Sequence, residues 1–434
     1  MKRVVALVRN YKPYNSAVGI CVGNVLECMR GHADLWVVCE KSRPEEEAYE
    51  VVDGEHVLRF LSPQTRRRAG LAEKAKRAKS ALTRGLWRVA YEGVRAAYNI
   101  QFLSSRQSVQ KKLVDCYLDA LRSLPFVPDL LVPTCMPVEA LIACRRFCEE
   151  NPGTVYVPLL FDRFADSGTL HRLAFNKRLK YRRNQQIEQE VLGDDACARV
   201  LYVESWQGRI ASMEGIAPAS LIEHPLLVKR GLERAPVFDG GVVNLVYAGT
   251  LTWAARNPSC TLEIARLLSC QDLPIVLHVY GAGDAMRAVA ECAGRYPHAV
   301  KHHGSVTAEE ASRAIGAADV LVSIGNSDTA QTPSKVFEYM ATGKPILHIA
   351  KTADDPVIEV LSRYPLAVTA VEDTALSSAE IERIRYYIRE YKGKAVPFEE
   401  VARLFETALP SYAAGLLRDC LDASGVAASS VERR

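Results

Sequence analysis

The hydrophobic pattern of the chain consists of short apolar runs separated by longer segments with helical periodicity. Several runs are continuously apolar rather than alternating, which is typical of strands buried on both faces of a parallel sheet. The runs cover residues 4–8, 35–39, 129–132, 154–160, 199–203, 242–247, 275–280, 319–324, 345–350 and 366–371. Because strands and helices alternate throughout, the pattern predicts an α/β fold built from doubly wound sheets.

A charged segment marked by Pro and Gly separates the first five runs from the last five. It extends from Lys229 to Gly241, and its composition is typical of a linker. We therefore predict two Rossmann-like domains, over residues 1–230 and 231–395. The remaining stretch, 396–434, belongs to neither alternation; its first part is predicted to be helical and its end to fray.

Composition narrows the class of protein. The 434 residues are 48% hydrophobic and 24% charged, with a net charge of +4, which excludes collagen-like and disordered chains. The twelve cysteines contain no C-x-x-C pair, so we expect reduced, mostly buried thiols and neither a metal site nor a disulfide.

No apolar stretch reaches the roughly 18 residues of a spanning helix, and the N-terminal apolar run is too short for a signal peptide. We therefore expect a cytoplasmic protein.

Candidate chemistry lies in the second half, where five segments follow one another. Two are strands that end in a glycine loop, one is a His-Gly-Ser-Val turn, one is a buried strand, and the last is a Pro-Ser-Lys start to a helix. They occupy residues 246–251, 280–284, 303–306, 317–324 and 331–347. Glycine loops let the backbone approach phosphate groups closely, so the segments together indicate a phosphate ligand.

The last of these segments predicts an anion site at the start of a short helix. Thr332 can cap a helix whose first residue is Pro333. The free N–H groups of that helix start, together with Lys335, suit a pyrophosphate. Glu338 lies one turn beyond Ser334 on the same face, where a carboxylate can accept two hydrogen bonds from a ribose diol. In the structural alternative, Glu338 is a solvated helix residue and Lys335 is a surface lysine.

In this order and spacing, the five segments resemble the C-terminal donor-binding domain of GT-B fold glycosyltransferases, in particular the family 4 group. The resemblance covers residues 242–371. It implies two Rossmann-like domains that face each other across a cleft. It also implies transfer of a sugar from a nucleotide-diphosphate sugar, with UDP as the expected nucleotide, and no metal or other cofactor besides this donor substrate.

The resemblance also implies residue roles in the donor site. Ser334 and Lys335 would face the diphosphate, and Glu338 would hold the ribose. Gly249 and Thr250 would lie under the phosphates. Positive charge at this place would stabilise the departing nucleoside diphosphate, which makes Lys335 a catalytic candidate as well as a binding one.

Further roles follow from the same resemblance. The stretch from Gly304 to Val306 would line the pocket for the base. In the first domain, Gly19 resembles the glycine loop that faces the donor across the cleft. The trailing helix is expected to return to the first domain, as it does in many relatives.

Two positions depart from the family pattern. An arginine often follows the first glycine loop directly; here Thr250 takes that place, and Arg256 is the catalytic candidate that can supply the charge. The family has a pair of glutamates in this segment. Glu338 matches the second of them, whereas Ala330 stands in the place of the first. The contact with the donor sugar and the stereochemistry of transfer therefore stay open.

Transfer also requires the acceptor hydroxyl to lose its proton, and the strand-end loops of the first domain offer candidate bases. Asp162 is the main catalytic candidate, because it matches the aspartate of a His-Asp pair found in many relatives, with Phe161 in place of the histidine. Glu204 and His171 are further candidates. In a retaining enzyme the leaving phosphate takes the proton and no base is needed. In the structural alternative, Asp162 pairs with Arg163.

Positive charge is concentrated in two segments of the first domain. Between Arg66 and Arg88, nine Lys and Arg accompany one acid, with Leu and Trp interleaved, and a second basic stretch spans residues 172–183. Basic amphipathic helices of this kind suit an anionic membrane surface. We therefore expect peripheral attachment to the inner face of the cell membrane, and a glycan or polyprenyl-linked acceptor. Two solvated helices are the alternative, and nucleic acid is not an expected partner.

The leading hypothesis is a glycosyltransferase of cell-surface polysaccharide biosynthesis. A non-catalytic GT-B subunit that binds a partner transferase or a glycan is the alternative, and it is favoured by Ala330 and by the absence of an arginine at the place of Thr250. A GT-B sugar epimerase is the third hypothesis. It would need acid and base residues from both domains, which the sequence does not reveal.

Overall fold

The chain folds into two units. The computed structural model describes residues 1–13, 16–104, 108–167, 176–229, 231, 238, 241–269, 274–327 and 333–431. Unit 1 consists of Met1–Pro225 with Pro410–Arg434, and unit 2 of Leu226–Leu409. The sequence predicts boundaries after residues 230 and 395, whereas the structure places them after Pro225 and Leu409. The two ends of unit 2 are joined, since the backbone N–H of Leu227 donates to the carbonyl of Ala408 (3.3 Å).

Unit 1 contains a largely parallel main sheet. The described strands of unit 1, in both of its sheets, are β1 (Arg3–Leu7), β2 (Asp34–Glu40), β3 (Tyr49–Val52), β4 (Glu55–Phe60), β5 (Leu130–Pro133), β6 (Val155–Tyr156), β7 (Leu159–Leu160), β8 (Val200–Tyr202) and β9 (Ala219–Leu221). The main sheet has the order β3-β4-β2-β1-β5-β6. Its pairs are parallel except for β3 with β4, which are antiparallel.

A second parallel sheet of unit 1 has the order β7-β8-β9. The apolar pattern predicts one strand over residues 154–160, and the structure divides this stretch between the two sheets. The division falls at Pro158, which has no N–H to donate to a ladder. Before it, Val157 donates to the carbonyl of Leu131 (2.9 Å), whereas the carbonyl of Pro158 accepts from Leu201 in the second sheet (3.0 Å).

Helices connect the strands of unit 1. The described helices of this unit are α1 (Ala17–Glu27), α2 (Pro63–Arg77), α3 (Ala81–Ser104), α4 (Lys111–Arg122), α5 (Val138–Glu150), α6 (Lys177–Leu192), α7 (Gln207–Ala211) and, from the end of the chain, α15 (Pro410–Val431). In the described part of the chain, no helix combines the length and the hydrophobicity needed to cross a bilayer.

Unit 2 is a doubly wound parallel sheet. Its described strands are β10 (Val243–Ala248), β11 (Ile275–Tyr280), β12 (Val300–Gly304), β13 (Val320–Ile324), β14 (Ile346–Ala350) and β15 (Ala367–Val371). Its described helices are α8 (Ser259–Ser269), α9 (Met286–Arg295), α10 (Ala308–Ala317), α11 (Lys335–Met340), α12 (Pro356–Ser362), α13 (Ser378–Tyr391) and α14 (Phe398–Leu404). The sheet order is β12-β11-β10-β13-β14-β15, and the prediction of Rossmann-like sheets is confirmed.

The two faces of β10 have different roles. Alternate residues Val243, Leu245 and Tyr247 enter a hydrophobic core shared with buried residues of α8, α9 and α13. The opposite face carries Asn244, Val246 and Ala248. At its carboxyl end, this second face contacts α11, because Tyr339 hydrogen-bonds to Ala248.

Candidate functional site

The strand order of unit 2 reverses direction between β10 and β13. After β10 the chain continues to β11 on one side, and after β13 it continues to β14 on the other side. In open α/β sheets, ligands bind outside the carboxyl ends of the strands at such a switch point. Here two contacts join the loops that flank it: Arg256 Nε donates to Asn326 Oδ1 (2.7 Å), and the N–H of Ser327 donates to the carbonyl of Ala255 (2.8 Å).

Backbone hydrogen bonds join the loops at the ends of β10, β11 and β12. The N–H of Gly249 donates to the carbonyl of Tyr280 (2.9 Å), and the N–H of Gly281 donates to the carbonyl of Gly304 (2.8 Å). Gly281 has φ +147°, and a Cβ on it would lie 1.8 Å from the carbonyl oxygen of Gly249. Only glycine fits at this contact, so the three loops form one layer of closely spaced backbone.

The first glycine loop, which begins at Gly249, is held in place by the side chain of Tyr247. The Tyr247 hydroxyl donates to the carbonyl of Thr250 (3.1 Å), while the side chain of Thr250 is exposed. A Cβ on Gly249 would lie 2.9 Å from the same hydroxyl. Burial raises the pKa of Tyr247 to about 12, and the guanidinium of Arg256 beside it opposes this shift. Gly249, Thr250 and Arg256 therefore share one corner of the site.

The helix that carries the predicted anion site begins later than expected. Its first residue is Lys335, and the expectation of a start at Pro333 is wrong; Thr332, the expected cap, lies outside the described residues. The N–H of Phe337 donates to the carbonyl of Ser334 (3.2 Å), a tight turn in which Ser334 already has helical backbone angles and makes no side-chain cap. The helix is only six residues long.

Tyr339 attaches this short helix to the end of β10. Its buried hydroxyl accepts from the N–H of Ala248 (3.0 Å) and donates to the carbonyl of Ala248 (3.3 Å). Val336, Phe337 and Met340 are also buried. These contacts place the helix directly beside the first glycine loop, which begins at the next residue, Gly249.

The remaining face of α11 carries Ser334, Lys335 and Glu338, each half-buried. Among the described residues, the Glu338 carboxylate forms no hydrogen bond or ion pair. Burial raises the pKa of Tyr339; the Glu338 charge adds to this shift and the Arg256 charge opposes it, so both charges lie near the same hydroxyl. The structure thus brings Arg256, Glu338 and the first glycine loop together at the switch point.

Gly304 and Val306 lie at the end of β12, two strands away from β10. Neighbouring strands are about 4.8 Å apart, so Gly304 lies about 10 Å across the sheet from Gly249. Gly304 has φ +71°, and Val306 is half-buried. This separation leaves room for the sugar and phosphates of a nucleotide between the two loops.

A row of polar side chains crosses the sheet below these loops, and it is not among the features predicted from the sequence. His303 stacks on Tyr280 with the ring centroids 4.1 Å apart, and its Nε2 lies 3.0 Å from Nδ1 of His278. Nε2 of His278 lies 3.1 Å from Oδ1 of Asn244, whose amide nitrogen also contacts Asp319. Burial lowers the pKa of His278 to about 4. The available signal was a single polar residue inside an otherwise apolar strand, which is Asn244 in β10 and His278 in β11.

A second buried row lies at the ends of β13 and β14. His348 is fully buried, with Nδ1 3.1 Å from Oγ of Ser323 and Nε2 3.2 Å from Oδ2 of Asp355. A Cβ on Gly325 would lie 2.0 Å from that same carboxylate oxygen. The row therefore holds the loop that carries Asn326, the partner of Arg256. The sequence analysis missed all of these residues.

Candidates from unit 1 lie at its own strand ends. Gly19 is a buried residue in the first turn of α1, and its N–H donates to Oγ of Ser16, the cap of that helix (3.1 Å). Glu204 is half-buried and begins a short 3₁₀ turn. His171 lies outside the described residues.

Asp162 is half-buried at the end of β7. Its backbone carbonyl accepts from Trp206 Nε1 (3.1 Å) and from Cys135 Sγ (2.9 Å), which fixes the backbone of the loop. Burial raises the pKa of the Asp162 carboxyl above its ordinary value. Arg163 pairs with Asp166 instead, so the alternative of an Asp162–Arg163 ion pair is not what the structure shows.

The comparisons with known proteins agree with this geometry. Residues 243–364 match the family model of glycosyl transferases group 1. No curated protein matches the chain in sequence. Solved structures are similar over nearly the whole chain, which shows the fold.

Three of these structures illustrate the likeness. A sucrose-phosphate synthase from Thermosynechococcus elongatus is 11% identical, with 98% of this chain and 100% of that chain covered and a TM-score of 0.61. The lipopolysaccharide outer core galactosyltransferase WaaB is 10% identical, with 98% and 99% covered and a TM-score of 0.55. Anabaena Alr3699/HepE, in complex with UDP and glucose, is 12% identical, with 100% of both chains covered and a TM-score of 0.53.

These findings confirm the resemblance to GT-B fold glycosyltransferases, whereas the family 4 group stays a prediction. The matched segment contains both glycine loops, Arg256 and the whole of α11. The chain therefore has the GT-B fold, and its residues 243–364 are similar to glycosyl transferases group 1.

Proposed function

We propose that the protein transfers a sugar from a nucleotide-diphosphate sugar, with UDP as the nucleotide, to a glycan or a lipid-linked glycan. One observation carries the proposal. At the switch point of unit 2, closely packed glycine loops, Arg256 and the half-buried carboxylate of Glu338 converge within the segment that matches the family model. Such a site offers donors and charge to a diphosphate and an acceptor to a ribose.

The diphosphate end of the donor is assigned to the first glycine loop and the start of α11. Gly249 and Thr250 let the backbone approach the phosphates, and Ser334 offers a hydroxyl. Lys335 and Arg256 supply positive charge where negative charge accumulates on the departing nucleoside diphosphate. Because side chains supply this charge, the proposed chemistry is metal-independent, as in family 4 enzymes.

The nucleoside end is assigned to Glu338 and the loop after β12. A carboxylate accepts two hydrogen bonds from neighbouring hydroxyl groups, so Glu338 is suited to the ribose diol. The stretch from Gly304 to Val306 is placed against the base. The distance of about 10 Å between the strand ends at Gly249 and Gly304 supports this division.

Asp162 is the proposed base for the acceptor hydroxyl. Its raised pKa makes the carboxylate a stronger proton acceptor than an exposed aspartate. Gly19 is proposed to lie near the nucleotide-sugar, because it resembles the glycine loop that faces the donor in the family. If transfer retains the anomeric configuration, the leaving phosphate takes the proton and Asp162 orients the acceptor.

The proposed setting is assembly of a cell-surface polysaccharide at the inner face of the membrane. The likeness to a lipopolysaccharide galactosyltransferase supports a glycan acceptor. The basic segments of unit 1 support peripheral attachment to an anionic membrane surface.

Titration of the purified chain with a panel of nucleotide-sugars tests the donor site. Glu338→Ala is expected to weaken donor binding by about 1–3 kcal/mol, the cost of losing hydrogen bonds to a charged group. Glu359→Ala removes an exposed glutamate from the first turn of α12 in the same unit and is the matched control. Equal dissociation constants for wild type and Glu338→Ala would remove Glu338 from the site.

A non-catalytic GT-B subunit is the second candidate, because Ala330 stands where the family has a glutamate. The same purified chain distinguishes the two functions. Release of nucleoside diphosphate from a bound donor supports the transferase. Donor binding without hydrolysis or transfer to any glycan acceptor supports the subunit.

A further inference from the structure

Helices α2 and α3 of unit 1 form a hairpin in which one face of α3 is turned toward α2. The Lys74 ammonium lies 4.9 Å from the ring centroid of Trp87. The Arg68 guanidinium lies 5.1 Å from that of Tyr91 and donates to the Tyr91 hydroxyl (2.6 Å). Trp87, Ala90, Tyr91 and Val94 are the half-buried residues of this face, with helical spacing.

A different face of α3 is apolar and exposed. The exposed fractions are 78% for Leu82, 62% for Leu86, 71% for Val89 and 65% for Ile100. At about 100° per residue these four side chains fall within a narrow sector of the helix. The small residues in the same sector are exposed too; they are Gly93, Ala96 and Ala97. We call this set the α3 stripe. It extends along most of a helix of 24 residues.

The positive charge of the α2–α3 hairpin indicates which kind of surface covers the α3 stripe. Residues 63–104 contain ten Lys and Arg and two Glu, and Arg84, Arg88 and Arg95 lie on the side of α3 away from the stripe. A helix is about 10 Å wide, so these charges lie within about one Debye length of any surface that covers the stripe. An apolar stripe backed by cations matches a bilayer with anionic lipids, whose headgroups attract the charge and whose acyl boundary accepts the side chains.

The same charge argues against a second copy of the chain as the occupant. Two hairpins of equal positive charge repel each other when their stripes are brought together. Exposure of an apolar stripe to water also costs free energy. Large exposed apolar patches on soluble proteins mark interaction sites.

We propose that α3 lies in the interface of an anionic lipid bilayer with the α3 stripe inserted below the headgroups. This deepens the membrane attachment within the proposed function, and it names the side chains that enter the lipid. Trp87 is turned onto Lys74 and is not part of the stripe. In the second basic stretch Lys180 is fully buried, with its pKa lowered by burial, so it adds nothing to a cationic surface.

Flotation of the full chain with vesicles tests the proposal. Vesicles of phosphatidylcholine with phosphatidylglycerol are expected to bind the protein, and vesicles of phosphatidylcholine alone are expected to bind at least tenfold less. The triple variant Leu82→Gln, Leu86→Gln, Val89→Gln is expected to lose at least tenfold in partitioning to the anionic vesicles. Because the three side chains are exposed, its circular dichroism and its nucleotide-sugar affinity are expected to match wild type.

Two further variants make the test specific. Val127→Gln changes an exposed apolar residue of unit 1 outside the hairpin (55% exposed) and is expected to bind vesicles like wild type. The triple variant Arg66→Gln, Lys76→Gln, Lys79→Gln is expected to bind less and to lose most of the salt dependence. Unchanged partitioning of the stripe variant, or a dimer in solution that this variant dissociates, would overturn the proposal. Donor binding is measured separately, so a failure here is distinguishable from failure of the proposed function.

Discussion

The hydroxyl of Tyr339 lies 3.0 Å from the backbone nitrogen of Ala248 and 3.3 Å from its carbonyl oxygen. One side chain of α11 thus binds both polar groups of the last residue of β10. The glycine loop starts at the next residue, so the position of the helix start and the position of that loop depend on each other.

Tyr339→Phe is expected to destabilise the protein by about 1–3 kcal/mol, because the buried N–H of Ala248 loses its acceptor. It is also expected to weaken donor binding, since α11 is no longer held against the loop. Urea unfolding and donor titration measure the two effects. Tyr387→Phe removes another buried hydroxyl of unit 2, which donates to the carbonyl of Leu366 (2.9 Å). This control should lower stability without affecting the donor; equal donor affinity in both variants would contradict the role of Tyr339.

Gly281→Ala is expected to abolish donor binding and to lower the melting temperature. A Cβ at this position would lie 1.8 Å from the carbonyl oxygen of Gly249, so the loops after β10 and β11 must separate. Gly294→Ala, in α9 of the same unit, meets no atom within 4 Å. It is expected to stabilise the protein by about 0.5–1 kcal/mol through helix propensity. A Gly281→Ala protein that binds donor like wild type would show that the loop layer is not part of the site.

Asp162→Asn is expected to lower kcat by about 10²–10⁴-fold if the carboxylate removes the acceptor proton. Because burial raises the pKa of Asp162, the wild-type rate should fall with decreasing pH at a higher pH than for an exposed aspartate. The variant should lack that decline. Asp166→Asn, which removes the ion-pair partner of Arg163, is the neighbouring control. A variant with wild-type kcat and pH profile would point to proton transfer by the leaving phosphate.

Stability of unit 2 is expected to decrease in acid because of His278. Its folded pKa is about 4, whereas the unfolded chain takes up the proton near the ordinary value of 6.5. The unfolded state therefore binds more protons between these values. The contribution of His278 is fully present above pH 6.5 and is lost as the pH falls toward 4.

Thermal melts at a series of pH values measure this effect. His278→Gln keeps a donor for Asn244 and cannot be protonated, so its melting temperature should fall less between pH 7 and pH 5 than that of wild type. His298→Gln changes an exposed histidine of the same unit and is the control. A His278→Gln protein that loses stability as steeply as wild type would assign the acid sensitivity to other groups.

Much of the fold follows from local pattern. Buried parallel strands such as β11 and β14 are apolar runs interrupted by one histidine each, and the apolar pattern predicts the bounds of both within one residue. The hairpin of β3 and β4 was missed although its turn residues have a clear preference. Asp53 and Gly54 have φ +51° and +81°, the geometry of a two-residue hairpin turn that Asp-Gly favours. Their flanking strands are short and half exposed, so the apolar pattern there is weak.

The residue types of the candidate site can be chosen from the sequence, whereas much of its geometry cannot. Lys335 and Glu338 could be chosen from the helix pattern alone. The close contact of Gly281 with Gly249 joins residues distant in the chain, and no local pattern encodes it. The rotation of α3 that turns Trp87 inward likewise depends on the partner helix, since a Trp among arginines suits either face.

Unit 1 is assembled from both ends of the described chain, and this has a consequence for how the protein is made. Helix α15 packs on α1, and Nη1 of Arg418 lies 3.2 Å from Nε2 of His32. During synthesis, unit 2 is fully translated before the ribosome reaches α15. Until then, the apolar residues of α1 that α15 covers remain exposed to solvent. Expression of residues 1–225 alone would leave that surface permanently uncovered, so a truncated fragment should be recovered mainly in inclusion bodies unless α15 is supplied as a separate peptide.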